Sequence, residues 1–136
     1  SIELDNDLFQ RAKNYFKSTK KINIIKGDSA EVLPDLLKKL NEPTLFWLDA
    51  HYSGEGTAKG KKDTPIIKEL DSIIKLGTSG HVVLIDDARH FNGRNSYPKL
   101  SWLKAYIKKH WDNMSFEVKH DVIRICPLKN NKKNPI

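Results

Sequence analysis

Short apolar runs that end on a carboxylate frame this chain. Ile22 to Ile25 leads to Gly27-Asp28, Thr44-Leu45-Phe46-Trp47-Leu48 ends at Asp49, and His81-Val82-Val83-Leu84-Ile85 ends at Asp86-Asp87. Each is a strand-length run apolar on both faces, and each is followed by residues of helical period. That alternation predicts βα units and a mostly parallel sheet with helices on both faces. Leu8, Phe9, Ala12, Tyr15 and Phe16 recur at helical spacing after Asp5 or Asn6 as N-cap. Ser29 opens a second helix with Val32, Leu33, Leu36, Leu37 and Leu40 inward, and Pro34 is expected in its first turn. Thr64-Pro65 starts a third as N-cap and N1, with Ile66, Ile67, Leu70, Ile73 and Ile74 inward and Gly77 at its end. A fourth begins near Pro98 with Leu100, Leu103 and Ile107 inward. The last segment alternates, Phe116 and Val118 against Ile123 and Ile125, and predicts an antiparallel hairpin around His120-Asp121.

At 136 residues the chain is sized for one domain, here residues 1–128 followed by a polar tail, 129–136. One cysteine, Cys126, excludes an internal disulfide framework and a multi-cysteine zinc site. The apolar runs are too short to span a bilayer. The opening Ser1-Ile2-Glu3-Leu4-Asp5 lacks the basic and apolar regions of a signal peptide, so a cytoplasmic setting is expected. The net charge of +7 is carried by lysine far more than by arginine. Lysine is a common solubilising residue and a poor reader of bases, so the charge reads as solvated surface and a nucleic-acid partner is not expected.

In an open parallel sheet the ligand lies outside the carboxyl ends of the strands. The residues there are Glu3, Asp28, Asp49, Asp86 and Asp87. Carboxylates gathered at one sheet edge repel one another unless a ligand or cation binds them. Helix capping accounts for Asp5 and Asp28. It accounts poorly for Asp49, which precedes a long loop, and not for the adjacent pair Asp86-Asp87.

Ile2-Glu3-Leu4-Asp5, Gly27-Asp28-Ser29, Phe46-Trp47-Leu48-Asp49-Ala50-His51 and Val83-Leu84-Ile85-Asp86-Asp87, in that order and with the terminal hairpin, resemble the class I S-adenosylmethionine-dependent methyltransferases. More narrowly, the chain is similar to methyltransferases of bacterial sugar or natural-product gene clusters. The resemblance implies a Rossmann-like fold and S-adenosylmethionine as cofactor. It gives Glu3 the ribose hydroxyls, Asp28 and Ser29 the exocyclic amine of adenine, and Asp49 a place near the methionine moiety and the methyl acceptor. Some oxygen-directed members bind a divalent cation at the ends of the fourth and fifth strands. Asp49, Asp86 and Asp87 stand there and offer hard oxygen ligands suited to Mg²⁺. His51 and His90, close behind those strand ends, are candidate general bases. The loop from Gly54 to Lys62 is a candidate substrate lid, with a solvated loop as the plain alternative. His81, His110 and His120 read as structural, and Trp47, Trp102 and Trp111 as packing residues.

The resemblance begins at the family's second strand. The first strand and its glycine-rich turn would precede Ile2, and their place in the sheet lies between the second and fourth strands. Either the chain is part of a longer protein, or those two strands pair directly, or a second copy in a homodimer covers the gap. The methyl acceptor is expected to be a small molecule or sugar. Two other readings stay open: a metal-dependent hydrolase using Asp49, His51, Asp86, Asp87 and His90, and a non-catalytic binding module.

Overall fold

The computed structural model describes residues 1–49 and 64–128. Strand β1 (Ile2–Glu3) leads into helix α1 (Asn6–Tyr15), strand β2 (Ile25–Lys26) into α2 (Ser29–Leu37), and strand β3 (Leu45–Leu48) precedes α3 (Ile66–Leu76). Strand β4 (Val82–Ile85), a single 3₁₀ turn at Ala88–His90, helix α4 (Leu100–His110) and the hairpin β5 (Met114–Lys119) and β6 (Val122–Pro127) complete the described chain. The alternation read from the sequence is therefore the element order.

The parallel pairs form, but in two sheets. One holds β1 and β2 in parallel; the other has the order β3-β4-β6-β5. Within the second, β3 and β4 are parallel and β4-β6-β5 antiparallel. β1 and β3, the second and fourth strands of the resemblance, do not pair with each other. Direct pairing across the gap is thus not how this chain closes its sheet.

Register decides which face is buried. Phe46 lies opposite Val83, Leu48 opposite Ile85, Val83 opposite Ile125 and Ile85 opposite Ile123, so these six share one face. All six are buried, in one cluster with Leu33 and Leu37 of α2, Leu70 and Ile73 of α3, and Leu103 and Ile107 of α4. Alternate β3 residues point the other way, and there Leu45 and Trp47 are 61% and 54% exposed. Trp47 is therefore not the buried core residue its apolar run suggests.

Helix starts follow the expected chemistry. The Asp5 carboxylate accepts from the backbone N–H of Asp7 and Leu8, and Asp28 accepts from Ala30. Thr64 Oγ1 accepts from Ile66 N–H at 3.3 Å, and Pro65 takes helical backbone just before α3. Pro34 departs from expectation, because it lies inside α2 rather than in its first turn. It withholds one N–H from the helix, and α2 tolerates the loss by ending within the next turn; the Lys38 N–H to Pro34 carbonyl bond is long, at 3.4 Å. Helix α1 has no buried residue, and Tyr15, read as inward, is 83% exposed. Among the described elements the helix packs chiefly on β1 and β2, a two-stranded sheet that leaves part of its apolar stripe uncovered.

The hairpin turn is His120-Asp121, as predicted, and both residues have positive φ. That backbone matches the twist of two-residue hairpin turns. His81 is structural, also as predicted. It is fully buried, its Nδ1 accepts from Thr44 N–H at 3.0 Å, and its ring meets Phe46 edge-on at 5.1 Å. Burial holds its pKa below the ordinary value, so it stays neutral with the proton on Nε2.

Gly77 closes α3 against that ring. A Cβ at this position would stand 2.5 Å from the Ile73 carbonyl oxygen and 2.7 Å from the imidazole. Gly77→Ala is expected to destabilise the protein by about 1–3 kcal/mol through overpacking, read from the midpoint of urea unfolding. A change within about 0.3 kcal/mol would show that the His81 packing yields freely.

Candidate functional site

Glu3 and Asp28 stand at the carboxyl ends of the paired strands β1 and β2. Glu3 pairs with Lys26 in register, and Gly27 N–H donates to the Glu3 carbonyl at 3.0 Å, which carries the chain straight to Asp28. Glu3 Oε1 accepts from Asp5 N–H at 2.8 Å, which fixes the carboxylate and leaves its second oxygen for a ligand. Asp28 likewise uses one oxygen on Ala30 N–H, at 2.9 Å. Gly27 lets the chain pass close to Val32 on the way to Asp28. It has φ of +153°, and a Cβ there would fall 2.5 Å from Val32 Cγ2. Acceptor pairs of this kind suit vicinal hydroxyls and an amine.

A second group lies at the ends of β3 and β4. A small cleft there is lined by Leu48, Asp49, Thr64, Ile66, Glu69, Ile85, Asp86, Phe91 and Tyr97. Asp49 and Asp86 are thus brought together, as the strand-end rule predicts. Asp86 N–H donates to the Leu48 carbonyl at 3.1 Å, which ties the two strand ends, and its own Oδ1 accepts from Asp87 N–H at 2.9 Å.

Asp87 goes elsewhere. It adopts left-handed backbone, with φ of 57°, and its carboxylate meets Arg89 at 2.7 Å. Arg89 also pairs with Asp121 of the hairpin turn, and Asp121 accepts from Arg89 N–H at 2.8 Å. The Arg89 contacts hold the Asp121 carboxyl below its ordinary pKa. This clamp fastens the end of β4 to the β5–β6 turn. The expected Mg²⁺ set of Asp49, Asp86 and Asp87 gains no support here: among the described residues no group of three His, Cys, Asp or Glu is placed to hold a metal ion. The adjacent aspartates divide the work, Asp86 facing the cleft and Asp87 gripping Arg89.

His90 sits beside this clamp. Its Nε2 is 3.8 Å from Asp87, and its ring lies against Tyr97, centroids 5.7 Å apart. Tyr97, not His90, reaches the cleft. His51 and the loop Gly54 to Lys62 lie outside the described residues, as does the tail 129–136.

Glu69 is the residue that the sequence reading passed over. It lies on the inward face of α3, three residues after Ile66 and four before Ile73, and is 2% exposed. That position in the apolar stripe was the available signal. Ser29 hydrogen-bonds its carboxyl, while Oε2 has no hydrogen-bond partner among the described residues. Burial pushes its pKa up to about 7, against a smaller lowering by Ser29, and the nearby Asp28 charge raises it further. Glu69 thereby links the two carboxylate groups, touching the Asp28-Ser29 corner and lining the cleft.

No protein-family model matches the chain, and no curated protein matches it. Solved structures do. One is the crystal structure of a Clostridium thermocellum protein provisionally described as an rRNA methylase. It is 12% identical, with a TM-score of 0.55 over 92% of this chain and 71% of that one. At such identity the likeness is one of fold, and it agrees with the Rossmann-like α/β architecture. Among the described residues no helix is long and apolar enough to cross a membrane.

The state of Glu69 is open to direct measurement. In the folded protein it holds its proton up to about pH 7, while the unfolded chain releases it near 4.5. Its contribution to stability is therefore complete below the unfolded value and declines as pH rises toward the folded one. Glu69→Gln is expected to exceed the unsubstituted protein by about 3 kcal/mol near pH 8, and the gap should close toward pH 5. Urea unfolding across that range reads it. A gap independent of pH would show that the carboxyl is hydrated.

Proposed function

We propose that the protein is an S-adenosylmethionine-dependent methyltransferase that acts on a hydroxyl of a small molecule or sugar. The observation that carries this reading is the pair Glu3 and Asp28, fixed by the backbone N–H groups of Asp5 and Ala30 at the ends of two parallel strands. Each carboxylate spends one oxygen on its own backbone and keeps the other for a ligand. Such a donor set fits an adenosine moiety: Glu3 takes ribose hydroxyls, and Asp28 with Ser29 takes the exocyclic amine. The fold shared with the Clostridium thermocellum structure supports the same reading.

The bound cofactor supplies an electrophilic methyl group on a sulfonium. What this chain contributes is orientation and exclusion of water. Asp49 and Asp86 border the cleft beside the apolar Leu48, Ile66, Ile85 and Phe91. A carboxylate there can align an incoming hydroxyl by accepting its O–H hydrogen bond and can take its proton as the bond to the methyl carbon forms and the bond to sulfur breaks. Holding acceptor and methyl group in line is the larger part of the rate gain, because it removes the entropy of a bimolecular encounter.

Calorimetric titration of the full-length protein with S-adenosylhomocysteine tests the proposal. Saturable binding is expected. Glu3→Gln and Asp28→Asn, which keep the backbone hydrogen bonds, should each weaken it by about tenfold or more. Absence of binding by the unsubstituted protein overturns the cofactor assignment. Binding that ignores both substitutions removes these residues from the site.

A further inference from the structure

Helix α4 carries its rings in one row. Trp102, Tyr106 and His110 recur at every fourth residue, so they stand one above another along the helix. The Trp102 and Tyr106 rings are stacked, 17° from parallel with centroids 5.0 Å apart, and the His110 ring follows at 4.5 Å from Tyr106. The Tyr106 hydroxyl donates to Asp71 of α3, which pins the middle ring. The row is thus anchored to the body of the protein, and it ends on Trp102, which is 47% exposed.

The buried contacts of α4 are made by Leu103 and Ile107, not by this row. Around Trp102 the outer face of the helix is cationic. Lys104, Lys108 and Lys109 are exposed, and α4 holds no Asp or Glu. Among the described residues none of the three lysines enters an ion pair. Lys109 lies two turns beyond Trp102 on the same side of the helix, and Lys104 and Lys108 form the neighbouring row. Over the whole chain the lysine excess reads as solvated surface. On α4 the fold sets part of it beside a fixed, exposed ring.

We propose that the outer face of α4 binds a single-stranded polynucleotide, with an unpaired base stacked on Trp102 and its phosphates on Lys104, Lys108 and Lys109. The proposal is independent of the methyltransferase reading. Lysine attracts phosphate as a point charge and reads no base, and ring stacking accepts any base. Tyr106 already holds the Trp102 ring, so stacking costs it little rotamer freedom. A duplex keeps its bases stacked on one another and offers the ring no free face. A membrane surface calls for an outward apolar stripe, and that of α4 is spent on the core. An acidic peptide would engage the lysines and leave the ring idle.

RNA and DNA share this chemistry. Fluorescence anisotropy of labelled oligouridine and oligothymidine of about ten nucleotides, over a series of salt concentrations, tests the proposal and separates the two. Saturable binding that weakens with salt is expected, and the tighter probe identifies the sugar preferred. Trp102→Ala should weaken binding about tenfold, and Trp102→Phe, which keeps a ring, should recover most of that loss. Replacing Lys104, Lys108 and Lys109 together by Ala should reduce the slope of log affinity against log salt by about 2. All four side chains are exposed, so the variants are expected to fold, and their urea midpoints check it. Absence of binding at low salt overturns the proposal, as does undiminished binding by Trp102→Ala. An unchanged salt slope in the lysine variant overturns it on its own. Polyglutamate competing as well as the oligonucleotide also overturns it, by making the face a docking surface for acidic protein. Titration with S-adenosylhomocysteine reads a different site, so its failure would bear on the methyltransferase reading alone.

Discussion

Strand β4 pairs on both edges, with β3 in parallel and with β6 antiparallel. Every other feature of the larger sheet follows from that double pairing. It puts Phe46, Leu48, Val83, Ile85, Ile123 and Ile125 on one face, where α2, α3 and α4 contribute the rest of a single core. It also brings the ends of β3 and β4 level, so that Asp49 and Asp86 border the same cleft. The hairpin closes the far side, and the Asp87–Arg89–Asp121 clamp fixes its turn to the end of β4. Surface ion pairs of this exposure contribute little stability, so the clamp matters for where it places the chain rather than for energy.

The site is an exercise in negative charge. Glu3 and Asp28 are each steadied by a backbone N–H, Asp86 by the N–H of its neighbour, and Asp87 by a guanidinium. Glu69 has only a hydroxyl and a low-dielectric wall, and it answers by keeping its proton to about pH 7.

Much of the fold was legible because its signals are local. A run apolar on both faces, a helix-period stripe, a Thr-Pro start and a two-residue turn each depend on a few neighbouring residues. Asp5, Asp28, Thr64 and the His120-Asp121 turn behave as their chemistry dictates. The failures have a common origin in packing. Trp47 looks like a core residue, since its run is apolar throughout, but exposure depends on whether anything lies over that face of β3. Tyr15 fits the stripe of α1, yet the β1–β2 pair is too narrow to reach it. Pro34 breaks a rule for long helices that α2, ending a turn later, does not have to obey.

The sequence by itself determined the alternation of strand and helix and the list of carboxylates at the strand ends, because period and capping are properties of adjacent residues. Only the tertiary structure decided what each carboxylate does. Asp86 and Asp87 are neighbours of identical chemistry, and a left-handed backbone at Asp87 turns one to the cleft and the other to Arg89. Glu69 became notable only when α3 packed against α2 and shut its carboxyl away from water. Burial and partnership are relations between distant segments, and no local pattern encodes them.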